Sequence, residues 1–273
     1  MKRAIVLDKS FLRGTSTTHV AQLAACHRLL MTDVLFHELL SNPEDRSICF
    51  AKFPAVENPV GLVMHVGGYL RSEISRRKPA PRPSRTAKRI RFQFNAQLRS
   101  KDYQLPPEAQ EVLCSQQAEL HAEVRSLIGR VELVPLQFPN VFKGSDSMRK
   151  AEREAAEALI ATDKHALLEF YGQLRTPKGH RRLPPKRLLN DDWALYRWLQ
   201  VHLLFALDLA IRYGNGLIEP LTPKLRERLE HDVLDAQYLI VGLLQGAFAT
   251  DERKLRRWFS LLTPDGALYG RDG

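Results

Sequence analysis

Acidic side chains follow short apolar runs at both ends of the 273-residue chain, where they could bind a metal ion. Residues 4–7 are apolar and lead into Asp8, and residues 247–250 lead into Asp251 and Glu252. A carboxylate at the C-terminal end of a buried strand lies where ligand clefts form in an α/β sheet. Carboxylate oxygens are hard ligands that suit Mg²⁺ or Mn²⁺. The pattern predicts divalent-metal chemistry of the kind that a nuclease uses.

Two predicted helices contain further acidic residues that we expect to lie near Asp8. Residues 28–31 are typical of a second strand, and Glu38 lies in the second turn of the helix after it, whose core side is Leu35, Leu39 and Leu40. We predict another helix over 224–244, broken or bent near Asp232 and also carrying Asp235. The βαβα order at the N-terminus predicts a parallel sheet with Asp8 and Glu38 at one rim.

The fold class predicted from these elements is α/β, a three-layer α/β/α sandwich with a parallel sheet. Residues 1–42 plus 223–273 form the predicted core, with Thr17 and Thr18 as helix caps and Gly246 as a C-cap. Residues 43–222 are predicted to be a mostly helical insertion, with helices near 148–162, 164–174 and 191–213. The alternation of basic and apolar residues over 88–94 predicts a strand with one solvated face.

The charge of the chain favours a polyanionic partner. Lys and Arg number 41 against 31 Asp and Glu, and eleven of the basic residues lie in the Pro-rich segment 71–101 with Glu73 as its one acid. The candidate nucleic-acid contacts are Arg76, Arg77, Lys78, Lys88, Arg89 and Arg91, with Arg181, Arg182, Lys186 and Arg187 as further members. Phe92, Phe94 and Tyr103 could stack on unpaired bases. A solvated linker is the alternative interpretation of residues 76–88.

Several other classes of protein are disfavoured by the sequence. The three cysteines are far apart and form no C-x-x-C pair, which argues against a disulfide framework and a zinc site. There is no P-loop and no G-x-G-x-x-G. The apolar run 4–7 is too short for a signal peptide, and residues 199–211 are interrupted by His202 and Asp208. We therefore expect a cytoplasmic protein without a membrane partner.

The chain resembles the PIN-domain family of metal-dependent ribonucleases over roughly residues 3–42 and 223–265. The resemblance rests on Asp8 with Ser10 two residues later, on Glu38 after the second strand, and on the segments 231–239 and 248–255. It implies that Asp8, Glu38 and Asp235 bind Mg²⁺ or Mn²⁺. The family places its last acid two residues after a Thr or Ser, which is Glu252 here, while Asp251 lies one residue after Thr250.

Further roles follow from the same resemblance. Either Asp251 or Glu252 would be the fourth catalytic and metal-binding acid, and Asp232 would give an outer-shell or second-metal contact. Ser10 and Thr250 would orient a ligand or water. The alternative is that Asp251 and Glu252 are ordinary acids of a first helical turn.

The activity implied is that of a divalent-metal-dependent endoribonuclease that hydrolyses RNA phosphodiester bonds. Toxin-like action on tRNA or mRNA fits the resemblance, with a homodimer and an inhibitor protein as further candidate partners. Two alternatives remain open: a catalytically inactive PIN-like protein that binds nucleic acid or acts as a scaffold, and a DNA nuclease with the same site.

Overall fold

Five parallel strands form a single sheet in the computed structural model, which describes residues 2–173, 183–214 and 221–271. The strands are β1 (Arg3–Leu7), β2 (His27–Thr32), β3 (Gly61–Val63), β4 (Ala247–Ala249) and β5 (Ala267–Tyr269). Their order across the sheet is β3-β2-β1-β4-β5, and every neighbouring pair is parallel. The prediction of an α/β fold with a parallel sheet is therefore confirmed.

Helices surround this sheet and make up most of the rest of the described chain. They are α1 (Lys9–Gly14), α2 (Thr17–Cys26), α3 (Asp33–Ser41), α4 (Pro43–Ala51), α5 (Val66–Arg76), α6 (Pro83–Thr86), α7 (Pro107–Val131), α8 (Val134–Gln137), α9 (Asp146–Thr162), α10 (Lys164–Gln173), α11 (Ala194–Tyr213), α12 (Pro223–Gln245) and α13 (Arg253–Leu262). Short 3₁₀ turns span Ala96–Arg99, Pro139–Phe142 and Lys186–Leu188.

The register of the central strands brings the two ends of the chain together. Strand β1 lies between β2 and β4, and Leu7 pairs with Ala249. Because residues 4–7 and 247–249 are buried on both faces, their uninterrupted apolar sequence suits a parallel sheet. The residues that follow the two strands, Asp8 and Thr250, consequently lie side by side.

The boundary between core and insertion, predicted at residue 42, does not hold for one strand of the sheet. Strand β3 lies inside the segment 43–222, yet it pairs with β2 through Met31 and Leu62. It is only three residues long, so its sequence carries no periodicity that would separate it from a loop. The sheet thus takes a strand from the segment predicted to be an insertion.

Three local predictions are also corrected. Residues 88–94 form no strand, because Phe94 is buried in an aromatic cluster with Phe50 and Phe53 instead of alternating along a sheet. Helix α12 is continuous through Asp232. The cap of α2 is Ser16, whose hydroxyl accepts the amide of His19, and not Thr17 or Thr18. The C-cap predicted at Gly246 is confirmed by its left-handed φ of 74°.

Helix α11 passes through the core. Its length and composition alone would let it cross a membrane, but 89% of its most apolar window is buried inside the molecule. Its first turn is capped by Glu73 of α5, whose two carboxylate oxygens accept the amides of Ala194 and Leu195 at 2.7 and 2.9 Å. The prediction of a helix near residues 191–213 is confirmed.

Residues 84–88 of the basic segment 71–101 pack at the edge of the sheet at which the strands begin. Ser84 donates its amide to Gln245, just before β4, and accepts a hydrogen bond from Arg28 near the start of β2. Thr86 is buried and bonds Tyr69. This packing argues against a solvated linker over residues 76–88, and it places residues 84–88 at the opposite edge of the sheet from Asp8.

Candidate functional site

Asp8 is a buried carboxylate at the C-terminal end of the central strand, with 2% of its surface exposed. The hydroxyls of Ser10 and Thr250 both donate to its Oδ2 atom, at 2.5 and 2.6 Å. Burial raises the pKa of Asp8 to about 6, although the hydrogen bonds from the two hydroxyls oppose this shift. Ser10 and Thr250, which were expected to orient a ligand or water, thus both contact the carboxylate of Asp8.

Asp235 faces the same region from α12. Burial raises the pKa of Asp235 well above its usual range, and the negative charge of Asp8 raises it further. Its side chain keeps 27% of its surface exposed, so it remains accessible to a ligand. A carboxyl group whose pKa is raised by a neighbouring carboxylate would be stabilised in its ionised form by a cation shared with that neighbour.

Glu38 interacts electrostatically with Asp8 but is already neutralised. Lys9 Nζ lies 2.9 Å from its Oε1 atom, Tyr238 donates to its Oε2 atom at 2.5 Å, and His231 Nδ1 lies 3.6 Å away. Burial raises the pKa of Glu38, but these three partners outweigh burial, and the net pKa lies below its usual range. Glu38 is therefore ionised and paired.

A second ammonium group lies among the acids of α12. Lys254 Nζ contacts Asp232 at 2.5 Å and Asp235 at 3.9 Å, and Arg212 reaches Asp232 at 3.3 Å. Asp232 is buried and carries both of these partners. It is therefore less available to a metal than Asp235.

The two candidates for the fourth acid point in different directions. Asp251 has 8% of its side chain exposed and pairs with Arg271, whose Nε lies 3.3 Å from its Oδ2 atom. Glu252 is exposed and lines the same groove as Asp232 and Asp235, and its amide donates to Thr250 Oγ1. Glu252 is thus the better placed of the two.

The predicted acids do not form a closed metal cage. In the described part of the chain, no three His, Cys, Asp or Glu side chains stand close enough together to hold a metal ion. The physical reason is visible at Lys9, which bridges Glu38 and Asp45, and at Lys254, which bridges Asp232 and Asp235. The ammonium groups lie where carboxylates would otherwise converge.

The predicted nucleic-acid contacts lie apart from these acids. Arg76 is the last residue of α5, and Arg77 and Lys78 follow it. These three residues are exposed, as are Lys88, Arg89 and Arg91. Phe92 packs edge-on against Phe36, and the guanidinium of Arg46 lies 5.8 Å from the centre of the Tyr103 ring, so both half-buried rings have partners within the protein. Arg181 and Arg182 lie outside the described residues.

No known family, curated protein or solved structure matches this chain. The geometry of its own residues must carry any functional argument.

The sequence did not point to the basic and aromatic partners of the acids. His231, Asp235 and Tyr238 follow the i, i+4, i+7 spacing of one helix face, which was a readable signal for a shared surface on α12. Lys9 directly follows Asp8, and Lys254 lies two residues after Glu252. Nothing in that spacing indicates that both ammonium groups turn towards the acids.

Proposed function

We propose that the chain is a divalent-cation-dependent endoribonuclease. The observation that carries the proposal is the pair formed by Asp8 and Asp235, two largely buried carboxyl groups whose pKa values are both raised. Burying such a pair without a cation costs folding free energy, and proteins retain perturbed acids of this kind mainly at functional sites.

The donor atoms fit a divalent cation of the hard type. Asp8 and Asp235 would supply carboxylate oxygens, whereas Glu252 lies on the adjacent groove wall and does not complete a group of three ligands. When bound, Mg²⁺ or Mn²⁺ would make water more acidic and would stabilise negative charge on a phosphodiester. Glu38 would join this set only if Lys9 releases it.

The neighbouring side chains would hold the reacting groups in place. Ser10 and Thr250 fix one oxygen of Asp8, and Tyr238 and Lys9 fix both oxygens of Glu38. Lys254 Nζ, 2.5 Å from Asp232 and 3.9 Å from Asp235, would hold these two acids next to the bound cation. Carboxylates fixed in this way lose little entropy when a ligand binds.

We also propose that the fold is PIN-like and three-layered. The five-stranded parallel sheet is compatible with that fold, and Asp8, Glu38 and Asp235 come from the three elements on which the resemblance rests. Action on tRNA or mRNA, a homodimer, an inhibitor protein and a cytoplasmic location remain predictions from the sequence.

A catalytically inactive nucleic-acid-binding or scaffold protein is the second candidate. It is favoured by Lys9 and Lys254, because built-in ammonium groups would neutralise the acids without any metal. Titration with Mn²⁺ separates the two, since a cation that binds only the folded state raises its melting temperature.

The proposal is tested by incubating purified protein with RNA in Mn²⁺ and resolving the fragments on a gel. We expect cleavage by the natural chain and at least a 100-fold slower rate in Asp8→Asn and in Asp235→Asn. The matched control is Asp265→Asn, because Asp265 is exposed in the turn before β5, at the other edge of the sheet.

Three outcomes would contradict the proposal. They are an absence of cleavage, equal cleavage by Asp235→Asn and the natural chain, and cleavage confined to DNA of the same base sequence. The last outcome would establish the alternative of a DNA nuclease.

A further inference from the structure

A groove beside Asp235 is lined by more basic than acidic side chains. It encloses about 790 Å³ between α9, α11, α12 and α13. This groove is here called the cationic groove, and its basic residues are Lys150, Arg153, Arg212, Arg228, Arg253, Lys254 and Arg257. Its acidic residues are Glu154, Asp208, Asp232, Asp235 and Glu252.

Several arginines of this cationic groove form ion pairs with acidic side chains that are buried beneath it. Glu157 pairs with Arg153 and Arg257, and Asp208 pairs with Arg153 and Arg212. Glu157 and Asp208 are 5% and 8% exposed, whereas the side chain of Arg257 is 48% exposed. The acids thus lie beneath the surface and hold guanidinium groups that still face solvent, which preorganises them for an anion.

The rest of the cationic groove has no such partners. Lys150, Arg228 and Arg253 are exposed, and no ion pair reaches them from residues 2–173, 183–214 or 221–271. They come from three different helices, α9, α12 and α13, so their charges are spread along the groove. A ligand with several spaced negative charges fits this arrangement better than a single small anion.

The cationic groove is continuous with the candidate active site. Lys254, Asp235 and Glu252 belong to both, so a strand lying in the groove would pass the acids. Residues 84–88 of the segment 71–101 lack this continuity, because they pack at the edge where the strands begin.

We infer that the cationic groove, and not the basic segment 71–101, binds the phosphate backbone of the nucleic-acid substrate. The inference rests on the proposed function for the identity of its ligand. No aromatic side chain lines the groove among the described residues, so the contacts are to phosphates and carry no base preference. Arg153, Arg212 and Lys254 keep their acidic partners, and the unpaired cations supply the new contacts.

The test is binding without cleavage. Fluorescence anisotropy measures the affinity of the full chain carrying Asp8→Asn, in EDTA, for labelled oligouridylate and oligoadenylate over a range of salt concentrations. The groove variant adds Lys150→Gln, Arg228→Gln and Arg253→Gln. The matched control adds Lys88→Gln, Arg89→Gln and Arg91→Gln, which removes the same charge from exposed positions.

We expect the groove variant to lose on the order of 100-fold in affinity at 50 mM salt. The slope of log affinity against log salt should fall by about 2, since each phosphate contact to a single strand contributes roughly 0.7. The control should lose less than about threefold, and both RNAs should respond alike. Thermal unfolding of each variant checks that the fold is retained.

An equal or larger loss in the control would overturn the inference, as would a parent chain that does not bind at 50 mM salt. A loss that differs more than about tenfold between the two RNAs would also overturn it. Failure of the proposed function can be distinguished from failure of this inference. If the natural chain does not cleave RNA but the groove variant loses binding, the proposed function fails and the groove assignment stands. If cleavage occurs with an unchanged KM in the groove variant, only the groove assignment falls.

Discussion

Replacing Asp8 with Asn should stabilise the fold in the absence of metal, and the effect should depend on pH. The pKa of Asp8 is about 6 in the folded chain against 3.8 for the free side chain, mainly because the carboxylate is buried. A raised pKa means that the folded state prefers the protonated form. The contribution of Asp8 to stability is therefore most favourable at low pH and falls as pH rises between these two values.

The magnitude follows from the difference between the two pKa values. A difference of about 2, at about 1.4 kcal/mol for each pKa unit, gives a cost of about 3 kcal/mol once Asp8 is fully ionised. About 2 kcal/mol of this develops between pH 4.5 and pH 7.5. Asn is neutral at both pH values and still offers an oxygen to Ser10 and Thr250. Removing the Asp8 charge also lowers the pKa of Asp235, which adds an effect of the same sign.

The assay is urea unfolding of the natural chain and of Asp8→Asn at pH 4.5 and pH 7.5 in EDTA. We expect the difference in unfolding free energy between Asp8→Asn and the natural chain to be about 2 kcal/mol larger, in favour of the variant, at pH 7.5 than at pH 4.5. Asp265→Asn provides the matched exchange at an exposed position. A relative stability of Asp8→Asn that changes by less than about 0.5 kcal/mol between the two pH values would refute the electrostatic argument, because that is far below the expected linkage.

Three further changes have defined outcomes. Glu73→Ala should lower the free energy of unfolding in urea by about 3 kcal/mol or more, because buried amides of α11 lose their acceptor, and Glu73→Gln should cost less. Gly242→Ala should cost about 1 to 3 kcal/mol, measured in the same way, since its Cβ would lie 2.8 Å from the ring of Phe248. Lys254→Met should tighten Mn²⁺ binding on the order of tenfold in calorimetry, because a competing cation leaves Asp235; weaker binding would contradict this.

The main elements of the sheet could be predicted because their residues are uniformly apolar. Residues 4–7 and 247–249 are too hydrophobic for a solvated strand, and each ends at a polar residue. Strand β3 cannot be predicted from its sequence, because three residues show no hydrophobic periodicity and its place in the sheet depends on pairing with β2. The prediction of a strand over 88–94 is wrong, because the same alternation of apolar and charged residues also suits an irregular segment in which Phe94 is buried.

The positions of the site residues at the ends of the strands could be predicted better than the ion pairs that the acids form. Asp8 at the end of β1 with Ser10 and Thr250 beside it follows from sequence, since parallel strands end at one edge of a sheet. The ion pairs between Lys9 and Glu38 and between Lys254 and Asp232 could not be predicted. They depend on how side chains pack between helices that are distant in the sequence. The same limit applies to the cationic groove, whose members come from α9, α11, α12 and α13 and are separated by up to about a hundred residues.

We propose that Asp8 and Asp235 together bind a divalent cation, and direct Mn²⁺ titration by calorimetry tests this most simply. We expect saturable binding by the natural chain at submillimolar to millimolar Mn²⁺, and a loss of at least tenfold in affinity in both Asp8→Asn and Asp235→Asn, with Asp265→Asn unchanged. Binding that is absent in the natural chain, or that survives unaltered in Asp235→Asn, would contradict the claim.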